Sequence, residues 1–273
     1  MQPLIFINTN TVQLNKAFTS VIIFIFLIIN GASKAQLSDT KIPDHPVRSI
    51  YTAIDSKDYL LGKYDYKTDA SFVEVPLKYA KFPDQYLRSD AYLAFVHMAE
   101  DARLEGVTIY ILSATRSFED QKKIWNEKWT GKALVLGQNL AWIKDSILRA
   151  KEILKYSSMP CTSRHHWGTD FDIENMYNDY FASGEGLKTY NWLQKNASKY
   201  GFCQPYCEKG SNRVCGYEEE RWHWSYMPIA NECIQRYKKE VKYEDINGFF
   251  GDRTAPQIEI IQNYVLGINN DCR

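Results

Sequence analysis

Two short stretches of this chain concentrate the side chains able to do chemistry. Ser163-Arg-His165-His-Trp-Gly168-Thr-Asp170-Phe-Asp172 supplies imidazoles and carboxylates, and Glu220-Arg-Trp222-His223 adds another of each further along. Two histidines and an aspartate suit a catalytic zinc. Such an ion keeps three protein ligands and leaves its remaining position to water, whose pKa falls to about 7. His165, Asp172 and His223 are the expected ligands. Glu220 precedes His223 by three residues, near enough to face the water rather than the ion, and is the candidate general base. Gly168 allows a tight turn between His165 and Asp172, through backbone angles closed to other residues.

These residues also carry a resemblance. Ser163-x-His165 with Gly168 and Asp172, then Glu220-x-Trp222-His223, resembles the signature of the VanY-like D-alanyl-D-alanine carboxypeptidases, zinc enzymes whose core is similar to the Hedgehog signalling domain. Ser113-Ala-Thr-Arg116-Ser117-Phe-Glu-Asp-Gln121 is similar to that family's arginine-bearing segment. Asn191-Trp-Leu-Gln-Lys-Asn196-Ala197-Ser-Lys-Tyr200-Gly201-Phe202 is similar to its helix-to-strand step. The likeness runs from about Tyr86 to Tyr226. It implies hydrolysis of the terminal D-alanyl-D-alanine bond of a peptidoglycan stem peptide with Zn2+ as cofactor. Cleavage of an L,D bond, endopeptidase action within the stem, and a noncatalytic zinc-bearing binding module are the alternatives.

By the same carry-over Arg116 stabilises the oxyanion or clasps the substrate carboxylate, as a permanently charged bidentate donor can. Gln121 and Ser163 become candidate substrate contacts. Trp222 is a further candidate substrate contact, although its position in the motif favours packing beside the metal. Two positions depart from the family: a small residue is common where Asp170 stands, and an arginine where Ser225 stands. Asp170 and Asp172 share a face if their run is extended, which leaves Asp170 open as a ligand or as a residue orienting one. His45, His97 and His166 read as structural.

The elements that must position these groups are partly legible. Ser89 can cap a helix whose apolar residues Tyr92, Phe95, Val96 and Ala99 recur at helical spacing until Gly106. Val107 to Leu112 reads as a buried strand ending at Arg116, and Ser117 can cap the next helix. Further helices are expected over about 140–156 and 187–200, the second closed by Gly201. Trp222 to Tyr226 reads as a strand with Trp222 and Trp224 on the face opposite His223. The mixture without steady alternation predicts an α+β domain, a small largely antiparallel sheet carrying the metal with helices packed around it.

The chain has 273 residues with 33 acidic and 33 basic side chains, and no basic stripe, which argues against nucleic acid as a partner. Lys16 precedes the apolar run Val21 to Ile29, and Ser33-Lys34-Ala35 offers a cleavage site, so residues 1–35 read as a signal peptide and the protein as secreted or periplasmic. An uncleaved anchor is the competing reading, and no stable membrane span is expected in the mature chain. Residues 36–85 are expected to be an extension packed on the catalytic domain, 86–230 the domain itself, and 231–273 a helical extension. Six cysteines suit disulfides in an oxidising compartment. A zinc knot of Cys203, Cys207 and Cys215 is the alternative, Cys161 is expected to brace the loop of His165, and Cys272 to pin the carboxyl terminus.

Overall fold

The structure, a computed structural model, describes residues 56–272, which belong to one compact unit spanning residues 49–273. The expected leader and the first part of the extension lie outside the described residues. A short helix α1 (Lys57–Leu60) leads into an antiparallel pair, β1 (Phe72–Glu74) and β2 (Tyr86–Arg88), and then helix α2 (Ser89–Leu104). Strand β3 (Ile111–Ser113) precedes helix α3 (Phe118–Trp129) and helix α4 (Ser146–Ile153). Strand β4 (Asp170–Ile173), helix α5 (Gly184–Asn196), strand β5 (Phe202–Cys203) and strand β6 (His223–Tyr226) follow. Helix α6 (Met227–Glu240) and the short helix α7 (Ala255–Ile258) complete the fold. The main sheet runs β3-β4-β6-β5 with every pair antiparallel, so the molecule is the α+β domain expected.

Alternation along β4 and β6 makes this sheet a platform with two chemistries. Opposite residues pair as Asp170 with Ser225, Phe171 with Trp224 and Asp172 with His223. Because side chains alternate across a pleated strand, Phe171, Ile173 and Trp224 enter one apolar core with Phe95, Leu87 and Phe202. The polar members are left to the other face. A second core gathers Trp125, Trp167, Ile229 and Tyr237 beneath helices α3 and α6.

Local signals explain where most elements begin and end. Ser117 accepts from Asp120 N while the Asp120 carboxylate accepts from Ser117 N, a reciprocal cap that starts α3. Gly201, at φ 82°, closes the turn after α5. Gly168, at φ 69°, lets the backbone after His165 turn against Phe72. A Cβ there would stand 2.2 Å from the Phe72 ring, so no other residue fits without displacing it.

Several expectations need correction. The helix from Ser89 begins without a side-chain cap, because the Ser89 hydroxyl donates to Ser71 O instead. The strand expected over Val107 to Leu112 is laddered only from Ile111, since Tyr110 N donates to the Glu174 carboxylate rather than to a strand. The helix expected over 140–156 divides into a tight turn, Leu140–Trp142, and α4, because Asp145 caps Ile147 N and Leu148 N and restarts the chain. Helix α6 crosses position 230, so the extension expected from 231 begins inside a helix that starts at Met227. One disulfide forms, Cys203–Cys272, which pins the carboxyl terminus to β5 and withdraws Cys203 from any zinc knot. Cys161, Cys207, Cys215 and Cys233 are unpaired thiols. Cys161 lies in the second core with Trp167 and Tyr237, and its hydrogen bonds run to the carboxyl-terminal part of the chain, its thiol donating to Asp245 O and its carbonyl accepting from Tyr237. No helix of the described residues is long and apolar enough to cross a membrane.

Candidate metal centre

Three elements deliver the three expected ligands to one point. His165 comes from the turn Arg164–Trp167 that Gly168 closes, Asp172 from β4 and His223 from the first position of β6. Each offers a ligand atom, all within 4.8 Å of one another, and all three side chains are buried. His165 Nε2 stands 3.4 Å from Asp172 Oδ2, and His223 Nδ1 stands 3.0 Å from Asp172 Oδ1. Ligands about 2.0–2.1 Å from one tetrahedral zinc are spaced roughly 3.3 Å apart. The donor set therefore fits such an ion in number, type and spacing.

The tautomers agree with this fit. His165 Nδ1 lies 2.7 Å from Ala114 O, a pure acceptor, so Nδ1 carries the proton and Nε2 is the free donor atom. His223 uses its nitrogens the other way round: Nε2 donates to Asp170 Oδ2 at 2.9 Å, which turns Nδ1 toward Asp172 and Glu220. Asp170 is thus not among the converging ligands but fixes the orientation of one of them. Its carboxylate also accepts from Arg164 Nε at 2.8 Å, from Ser225 Oγ at 2.7 Å and from Thr169 Oγ at 2.7 Å. The two departures from the family pattern, Asp170 and Ser225, face each other across β4 and β6 and belong to this single network.

The electrostatics describe a site built around positive charge. Burial opposes ionisation of Asp172, yet His165 and His223 together hold its carboxyl well below the usual range. Asp170 is likewise held low against burial by Arg164 and His223. Burial opposes a proton on His223, but the two aspartates outweigh it and raise the imidazole to about 9. Burial, then Arg116, lower His165. Glu220 sits 3.6 Å from His223 Nδ1, and burial pushes its carboxyl up to about 8 despite the opposing pull of His223. A carboxyl near that value can both take and return a proton around neutrality.

A cavity of about 470 Å³ opens on the centre, within the range of small-ligand sites. Arg116, Trp222 and Glu220 line it with the three ligands' side chains His165, Asp172 and His223. Arg116 approaches Asp172 Oδ2 at 3.9 Å while its Nε is buried without an acceptor. Its backbone is fastened to the ligand turn at both ends, Arg116 N donating to His165 O and His166 Nδ1 donating to Arg116 O at 2.7 Å. Trp222 is 5% exposed and packs tilted on Tyr156, so it serves as wall and core together. Gln121 and Ser163, each 1% exposed, do not line the cavity. Gln121 donates instead to Ser158 O and so braces a cavity residue from behind.

Sequence reasoning missed Lys128, Ser157 and Tyr206 on the cavity wall. Lys128 had a signal: it follows Ile124 by four residues and Gln121 by seven, a single helical stripe. Tyr206, whose ring centroid lies 4.6 Å from that of His223, sits in a loop segment with no such period.

Residues 84–229, just over half of the chain, match the family VanY: D-alanyl-D-alanine carboxypeptidase. The Bacillus subtilis protein named "Putative carboxypeptidase YodJ" is 30% identical over 182 residues, 64% of this chain and 59% of its own length. A D-alanyl-D-alanine carboxypeptidase of Enterococcus faecalis is 29% identical over 128 residues, 47% of this chain and 43% of its own length. The chain therefore spans well under two thirds of either relative. Among solved structures it is similar to the LdcB LD-carboxypeptidase, at a TM-score of 0.47 and 24% identity over 66% of this chain and 81% of that one. It is similar also to VanYB in complex with D-alanine-D-alanine, at 0.46 and 22% over 66% and 90%. By the match over residues 84–229, the chain belongs to the VanY D-alanyl-D-alanine carboxypeptidase family.

Proposed function

We propose that this protein is an exported zinc carboxypeptidase that hydrolyses the terminal D-alanyl-D-alanine bond of peptidoglycan stem peptides. The observation carrying the reading is the meeting of His165, Asp172 and His223 within 4.8 Å beside a buried Glu220 on one cavity. A zinc ion held there supplies a Lewis acid for the scissile carbonyl and lowers the pKa of water to about 7. Glu220 takes the proton of the attacking water and returns it to the leaving amine. The guanidinium of Arg116, whose backbone is fastened to the ligand turn, meets the negative charge that develops on the carbonyl oxygen. Asp170 and Ala114 O hold the two imidazoles in complementary tautomers, so that both present an unprotonated nitrogen to the cation. Export rests on the leader read from residues 1–35.

The test is release of D-alanine from a muramyl pentapeptide by the zinc-loaded protein, with and without a chelator. Release should disappear with the chelator and return with zinc. Glu220→Ala should lower turnover by at least about 100-fold while metal content stays at that of the wild type. Mass spectrometry of the products separates this reading from L,D or endopeptidase cleavage, because the released fragments differ. Equal inertness of wild type and Glu220→Ala would leave a noncatalytic binding module.

A further inference from the structure

One cation on the cavity wall has no part in the chemistry above. Lys128 lies in the last turn of α3 and faces the cavity shared by Arg116 and Glu220. Its ammonium donates to the hydroxyl of Ser157, itself 8% exposed. No carboxylate of the described residues lies within 4.0 Å of it. Arg116 and Glu220 are both close enough to act on it electrostatically. Arg116 Nε, on the same cavity, is buried without an acceptor.

A partly buried ammonium without a counter-ion is costly, and a wall that keeps one is suited to an anionic ligand. Of the carboxylates lining the cavity, Asp172 faces the two imidazoles, Glu220 faces His223, and Asp179 is exposed; none pairs with Lys128. A peptide cut at its last bond brings two groups that need a cation, the scissile carbonyl and the terminal carboxylate, one residue apart. Arg116 alone would have to serve both. With Lys128 the cavity has a cation for each, and the apolar Ile124 and Val135 beside it leave room for a small terminal side chain.

We propose that Lys128 clasps the C-terminal carboxylate of the peptide, leaving Arg116 to the scissile carbonyl, and so makes the site select for cleavage at a free carboxyl end. This deepens the peptidase reading and rests on it. Length selection then comes from α3, the helix whose residues Ile124 and Lys128 border the cavity.

The experiment uses the metal-loaded Glu220→Gln protein, which binds without turning over, and isothermal titration calorimetry. Three ligands are compared: an N-acetylated peptide ending in D-alanyl-D-alanine as the free acid, its C-terminal amide, and the amide carrying a free side-chain carboxylate upstream. The free acid should bind about 10- to 100-fold tighter than either amide. Lys128→Met in the same background should remove that preference, and Lys128→Arg should restore most of it. Lys128→Gln, which can still bond Ser157, replaces the methionine variant if that one melts early. Retained preference in Lys128→Met, no preference in the parent, or no binding at all would overturn the assignment. Tight, Lys128-dependent binding of the third ligand would also overturn it, by moving the clasp to a side chain. Loss of D-alanine release from the otherwise wild-type enzyme is a separate readout. A zinc-loaded wild type that releases none sinks the peptidase reading, whereas release together with indifferent binding by Lys128→Met sinks only the clasp.

Discussion

Asp170 sets which nitrogen of His223 faces the cation. The acceptor at Nε2 keeps a proton there, and the ring then has only Nδ1 to offer a metal. Asp170→Asn keeps the shape, but the amide can turn its NH2 toward Nε2 and favour the wrong tautomer. Metal affinity measured by chelator competition should fall about 10- to 100-fold in this variant. A role limited to satisfying the buried Arg164 would lower the melting temperature and leave the affinity of the folded protein unchanged. At this scale His165, Asp172, His223 and Glu220 were legible because their types and spacing point to one chemistry. The role of Asp170 was legible only as a choice between ligand and orienting group. Deciding it required knowing that Arg164 and Ser225 fold onto the same carboxylate, which follows from the pairing of β4 with β6 and from no local pattern.

Among the elements, the turn carrying His165 and the corner carrying Arg116 behave as one unit. Arg116 N donates to His165 O, and His166 Nδ1 donates to Arg116 O, so Arg116 and His165 share a backbone clamp. His166 is fully buried, burial pushes it down to about 3, and Gly62 is the residue that leaves it space. His166→Leu should therefore lower kcat by about 10-fold or more with little change in metal content, because a small misplacement of Arg116 costs transition-state stabilisation. His166→Asn, whose amide NH can reach the same carbonyl, should recover part of that loss. Equal kcat in the leucine variant and the wild type would show the clamp to be structural only. The strand and helix identities around this unit were readable from period and caps: Ser117 starting α3, Gly201 ending the turn after α5, Trp224 opposite His223. What escaped was decided by partners distant in sequence. Glu174 draws the backbone of Tyr110 out of a ladder, and Asp145 restarts a helix that apolar spacing alone would run through.

For the whole molecule, the buried charges predict opposite pH behaviour with and without metal. In the metal-free protein His223 is raised from an ordinary value of about 6.5 to about 9, so its contribution is complete below about pH 6.5 and is lost as pH rises through 9. Glu220, raised to about 8, acts in the same direction: its neutral form is favoured in the fold, and that advantage drains away between about pH 4.5 and 8. Asp170 and Asp172 are held low, and their contribution is already complete above about pH 5. His165 and His166 are lowered by burial, so the advantage of keeping them neutral is complete only above about pH 6.5, and below that pH their two gains outweigh the loss at Glu220. Metal-free protein should then be most stable near pH 6.5 and lose stability, on the order of several kcal/mol, by pH 9. A divalent cation competes with the His223 proton at Nδ1, so its binding strengthens as that proton becomes easier to remove. Stabilisation by saturating zinc, which follows RT ln(1 + [L]/Kd), should widen over the same interval. Paired melting curves at pH 5.5, 7 and 8.5, with chelator and with zinc, measure both trends. A chelated protein whose melting temperature stays level or climbs between pH 7 and 8.5 would show that the imidazole and the two aspartates do not form the coupled, cation-ready cluster on which the site depends.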